Sequence, residues 1–226
     1  MNNINKINTK QICLLQVLPH LNSGGMVSGA IEISNYLKKK GGNSIIVSSG
    51  GYREQEVLRN NASLIHLPVE TKNPYLIYLN KNRLIKIIKQ YNINIIHARS
   101  RAPAWSSYWA SKSTKTHFIT TFHGTYGTEN FIKKKYNSVM LKGDYVIAIS
   151  KFIKWHIEKE YKKFNNIYVI PRGIDEKIFS PDKVTTARII SAAKKIKTDE
   201  FRKTILMPGR LTNWKGHEIA IRSLSL

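Results

Sequence analysis

At 226 residues with 42% hydrophobic content and one cysteine, the chain is sized for one large domain or one plus part of another; wholesale disorder, a disulfide framework and a thiolate metal cluster are excluded. Its 37 Lys and Arg against 14 Asp and Glu give a net charge of +23, which predicts either attraction to a polyanion (nucleic acid or an anionic membrane face) or simply a solvated basic surface. The polar start and the short, interrupted apolar run behind it fit neither a signal peptide nor a membrane span, and the cysteine usage suits a reducing cytosol.

The run Ile12–Leu18 predicts a buried first strand, cut by Pro19. After Gly24-Gly25, the apolar residues Val27, Ala30, Ile31 and Leu37 recur at helical spacing, with Gly41 placed as a C-terminal cap. A strand, a glycine pair and a helix start bring open N–H groups and a positive dipole end to one point, which is an anion site. The spacing is neither that of dinucleotide folds nor that of P-loops, so a tight turn alone is the competing reading.

Further strands are expected at Asn43–Ser49, Leu64–Val69, Asn94–Ala98, His117–Phe122, Asp144–Ile149 and Asn166–Ile170. Helices are expected after Asn73-Pro74, over about Ala102 to Ser111, and from Lys151 with Ser150 as cap, with a loop or short helix around Glu54 to Arg59. Trp105, Trp109 and Trp155 read as packing residues on helices, and Asp144 as a strand-start residue. Strands alternating with helices predict an α/β fold, a Rossmann-like parallel sheet with helices on both faces. Ligands in such sheets sit at the carboxyl ends of the strands. Gly24-Gly25, Arg99 with Arg101, and His123-Gly124 all fall there.

Residues 1–175 are therefore expected to form the main domain, 176–203 a linker or helical region, and 204–226 a first βα unit of a second domain, with a strand over Thr204–Met207 and a helix beyond Gly216. One strand and one helix cannot bury a core, which predicts a second domain cut short or packed on the first.

Five stretches together resemble the family 4 glycosyltransferases, which are two-domain GT-B enzymes: Leu18–Gly25, Thr121–Gly124, Asp144–Ser150, Ile170–Asp175 and Gly209–Gly216. The likeness extends to bacterial enzymes of lipopolysaccharide and envelope-glycan synthesis. It implies transfer of a sugar, with retention, from a nucleotide-sugar donor to a glycan or lipid-linked acceptor. Gly24, Gly25, Arg210 and Lys215 would bind the donor, His123 would act at the reacting centre, and Arg99 and Arg101 would face a phosphorylated or acidic acceptor. Preorganised cations suit a departing nucleotide, so no metal or other cofactor is expected. The family's donor-site glutamate pair would fall beyond Leu226, so the expectation is a chain inactive alone or completed by a second chain. The alternatives are a non-catalytic remnant or acceptor-binding module and, last, a basic nucleic-acid binder, for which no recognition motif is present. The expected location is cytoplasmic, with peripheral association at the inner face of an anionic membrane.

Overall fold

Seven apolar runs become seven strands: β1 (Cys13–Val17), β2 (Asn43–Ser48), β3 (Ser63–His66), β4 (Ile95–Ala98), β5 (His117–Phe122), β6 (Tyr145–Ala148) and β7 (Ile167–Val169). In the computed structural model, which describes residues 8–59, 62–127, 129–161, 164–176, 179–197, 203–209 and 211–224, they form one sheet in the order β3-β2-β1-β4-β5-β6-β7. Every pairing is parallel. The inner strands β1 and β2 are buried almost end to end, as a sheet covered on both faces requires, whereas edge strand β3 is not.

Helices α1 (Gly25–Lys39), α2 (Glu54–Arg59), α3 (Pro74–Gln90), α4 (Arg101–Thr114), α5 (Phe131–Asn137) and α6 (Lys151–Tyr161) each follow a strand. Asn73 caps α3, accepting from the Tyr75 and Leu76 amides with Pro74 just inside the start. Gly41 ends α1 at φ +81°, its N–H donating to the Lys38 carbonyl and that of Gly42 to Leu37, a Schellman closure that needs the left-handed residue. Ser150 Oγ accepts from the Ile153 amide at the start of α6. Asp144 accepts from the Phe118 amide and so ties β6 to β5. Phe118 and Phe122 are fully buried in the main core, each stabilising by about 2–3 kcal/mol.

The sequence showed no sign of α5 or of the 3₁₀ turn Ser138–Leu141 behind it, because a lysine-rich surface hides the short apolar seam Val139-Met140-Leu141. Trp105 packs against the core, but Trp155 is 54% exposed and stacks on Phe152 instead. At the amino end of β1, the half-buried Cys13 donates from Sγ to the Tyr91 carbonyl, and burial pushes its thiol pKa up.

The chain divides after Arg172 into two units, residues 1–172 and 173–226. The second holds α7 (Thr186–Ile196), capped by Thr185, and α8 (His217–Ser223). None of its described residues is buried. The strand expected over Thr204–Met207 is not formed, and residues 203–208 are irregular. A strand exists only by pairing, and no strand lies in this unit among the described residues. Among the described residues no helix is long and apolar enough to cross a membrane.

Candidate functional site

The chain leaves β1 toward β2 and β3 and returns to place β4 on the other side of β1, so the strand order reverses between β1 and β4. The carboxyl ends flanking that reversal form the crevice where open α/β sheets bind ligands. Gly24 stands there at φ +121°, ψ 157°, a conformation closed to side chains, and accepts the first turn of α1 through its carbonyl. It offers no side chain to cap the helix, so the leading amides of α1 face the crevice.

Gly25 needs its missing side chain for space, not for backbone freedom. A Cβ there would lie 2.9 Å from Cζ of Arg172, and the guanidinium occupies that volume. The same guanidinium donates from Nη2 to Nδ1 of His123 at 2.5 Å. With Nδ1 accepting, the neutral ring carries its proton on Nε2, which is buried and has no partner among the described residues. Burial first, then the charges of Arg172 and Arg99, hold the His123 pKa down at about 3.

Arg99 lies beneath this point and is only 4% exposed. Its Nε and Nη2 both donate to Oε1 of Gln16, at 3.0 and 2.6 Å. Gln16, fully buried in β1, is oriented by donating from Nε2 to the Ala30 carbonyl and to Ser34 Oγ, both at 2.8 Å. Burial and the nearby Arg172 lower the Arg99 pKa to about 9, against the pull of Glu32. The arrangement therefore concentrates positive charge and hydrogen-bond donors at a helix start in a poorly solvated crevice. Such an arrangement attracts anions.

Arg101 opens on a different space. Its Nη1 donates to Asn137 Oδ1 at 3.1 Å, and its guanidinium lies 4.5 Å over the Tyr126 ring. It lines a cleft of roughly 680 Å³ with His20, Glu70, Lys72, Ile132 and Lys133. Oε2 of Glu70 is buried there without a partner among the described residues, which suits a ligand hydroxyl. His20 is held by Ser49 Oγ, and the buried His97 by Thr121 Oγ1, both structural arrangements.

The structure thus brings Gly24, Gly25 and His123 together with Arg99 below, and sets Arg101 in the neighbouring cleft. Arg99 is buried because its guanidinium is drawn onto Gln16 in β1. Arg210 lies outside the described residues. Lys215 ends a 3₁₀ turn, Asn213–Lys215, in the second unit. Sequence reasoning missed Arg172 and Gln16. The first sits in a motif it had noted, and the second is a lone amide inside an apolar strand run. Among the described residues no group of three or more His, Cys, Asp or Glu side chains is placed to hold a metal ion.

The sequence profile described as Glycosyltransferase Family 4 matches residues 23–177. A glycosyltransferase from Rickettsia africae ESF-5 superposes with a TM-score of 0.82 and 42% identity, covering 95% of this chain and 57% of its own. Anabaena Alr3699/HepE, solved in complex with UDP-glucose, superposes at 0.74 with 15% identity over 95% of this chain and 57% of its own. Sucrose-phosphate synthase from Thermosynechococcus elongatus does so at 0.74 with 14% identity, over 95% and 60%. At those identities the last two speak for the fold alone. This chain therefore spans well under two thirds of the length of these proteins. No curated protein matched the sequence.

Proposed function

Because the chain belongs to glycosyltransferase family 4, we propose that it serves the transfer of a sugar from a nucleotide-diphosphate donor to a glycan or lipid-linked acceptor of the bacterial envelope, at the cytoplasmic face of the membrane. The observation that carries this reading is the meeting of the α1 amino end, the Arg172 guanidinium and a neutral His123 in one crevice. Cleaving the donor leaves negative charge on the departing diphosphate, and donors fixed in advance stabilise that charge without reorganising. In this reading the amides after Gly24 and at Gly25 meet the diphosphate, and Arg172 pairs with it. The buried Nε2–H of His123 donates to a hydroxyl of the transferred sugar. Arg99 adds positive potential from below, while Arg101 and Glu70 hold the acceptor in the adjoining cleft. By the family resemblance, Arg210 and Lys215 are further candidates for donor binding. A UDP-sugar bound to Anabaena Alr3699/HepE supports the donor class.

An NMR titration of the chain with UDP-glucose tests the reading and detects binding even at millimolar Kd. The amide signals of Gly24 and Gly25 and the ring signals of His123 are expected to shift together along one binding curve. Shifts confined to other parts of the chain, or none up to about 10 mM donor, overturn it.

A further inference from the structure

The two most exposed large apolar side chains among the described residues of the first unit are neighbours: Phe131 at 77% and Ile132 at 80%. They form the first turn of α5, and Lys133, Lys134 and Lys135 follow directly. The rest of the helix explains why they point outward. Asn130 caps it by accepting from the Lys133 amide at 2.7 Å. Tyr136 is tied by its carbonyl to Nε1 of Trp105, and the fully buried Asn137 donates to the Gly127 carbonyl and accepts from Arg101. The Val139-Met140-Leu141 seam behind it is buried as well. The carboxyl half of α5 is thus fastened to the domain, and its amino-terminal turn is held out as an apolar tip with a lysine collar.

We propose that this tip is a docking surface for an anionic phospholipid bilayer, with Phe131 and Ile132 entering the headgroup–acyl boundary and the three lysines meeting lipid phosphates. Charge complementarity selects this occupant. An apolar pair alone would suit a protein partner, but three consecutive cations beside it on a chain of net charge +23 match a negatively charged leaflet. Lys133 also bonds Glu129, and the half-buried Lys134 lies 5.5 Å from the centre of the Tyr161 ring, so the exposed Lys135 has the largest share. Ile132 and Lys133 are at the same time walls of the cleft that holds Arg101 and Lys72. Docking through α5 therefore sets that cleft at headgroup level, where a lipid-linked acceptor carries its phosphates. This last step rests on the glycosyl-transfer reading; the docking itself does not.

Co-sedimentation with vesicles containing neither glycan nor donor separates the two. The chain is expected to bind vesicles of phosphatidylcholine with phosphatidylglycerol, and at least about tenfold more weakly those of phosphatidylcholine alone. Phe131→Ser with Ile132→Ser should weaken binding to the anionic vesicles by at least about tenfold. Lys133→Gln, Lys134→Gln and Lys135→Gln together should weaken it roughly thirtyfold to a hundredfold at low salt, and less at high salt. All five side chains except the half-buried Lys134 are exposed, so thermal unfolding of these variants should match the parent. No binding to anionic vesicles, parent-like binding by both variants, or loss caused instead by Phe152→Ser with Trp155→Ser on α6 overturns the proposal. Failure here leaves donor recognition intact, and a negative UDP-glucose titration leaves the vesicle result intact.

Discussion

His123 is kept neutral by its surroundings: burial, two nearby guanidinium groups and a ring nitrogen already accepting from Arg172. Its folded pKa of about 3 lies below the ordinary 6.5, so between those values the unfolded chain binds the proton and the folded one does not. The resulting stability is complete above about pH 6.5 and is lost as pH falls toward 3, at about 2 kcal/mol by pH 5. The buried His97 is shifted in the same direction. Urea unfolding at pH 7 and pH 5 should therefore show a marked fall in stability, and His123→Asn should reduce that fall by about 2 kcal/mol. The positions of His123, Gly24 and Gly25 were legible in the sequence because strand ends follow from periodicity. Arg172 was not: it lies in an irregular segment, where nothing indicates side-chain direction, and its bond to His123 spans 49 positions. The burial of Arg99 was hidden for a related reason, since it depends on a glutamine reached only across the pairing of β1 with β4.

Among the elements, α1 shows how two adjacent glycines answer to different demands. Gly24→Ala forces a side chain into a glycine-only conformation with open space around it, and should cost about 1–3 kcal/mol by urea unfolding. Gly25→Ala meets no such backbone penalty and gains helix propensity, so stability should change by less than about 1 kcal/mol. Its methyl group would instead displace the Arg172 guanidinium from its place beside His123, and UDP-glucose should bind several-fold more weakly than to the parent in the same NMR titration. A large stability loss at Gly25 together with none at Gly24 would contradict this account. The strands were legible from their short apolar runs, and α1, α3 and α6 because each joins an apolar period to a cap at Gly41, Asn73 or Ser150. The 3₁₀ turn and α5 were not, since their inward residues, Asn137 and the short run Val139-Met140-Leu141, are too few to show a period behind Lys133, Lys134 and Lys135. The Thr204–Met207 run failed for the opposite reason: its composition suits a strand, but composition supplies no neighbour to pair with.

At the scale of the whole molecule, a sheet whose strands all run one way has two unlike edges. Within the first unit, the loops given chemistry in the proposed function leave the carboxyl edge, so the amino edge is free to serve stability alone. The division after Arg172 also has a chemical side, because the residue that closes the first unit is the one that touches Gly25 and His123.

Cys13 sits on that amino edge, and it is the chain's one thiol. Half-buried, bonded to the Tyr91 carbonyl and raised in pKa, it should react sluggishly with a disulfide reagent such as dithionitrobenzoate while β1 stays paired, and at the rate of an ordinary peptide thiol once the sheet opens. Labelling velocity in rising urea should then follow loss of the sheet's far rim and stay indifferent to saturating UDP-glucose except through global stabilisation. The molecule thereby carries its own unfolding clock, one that needs no engineered probe and leaves the ligand-binding rim untouched.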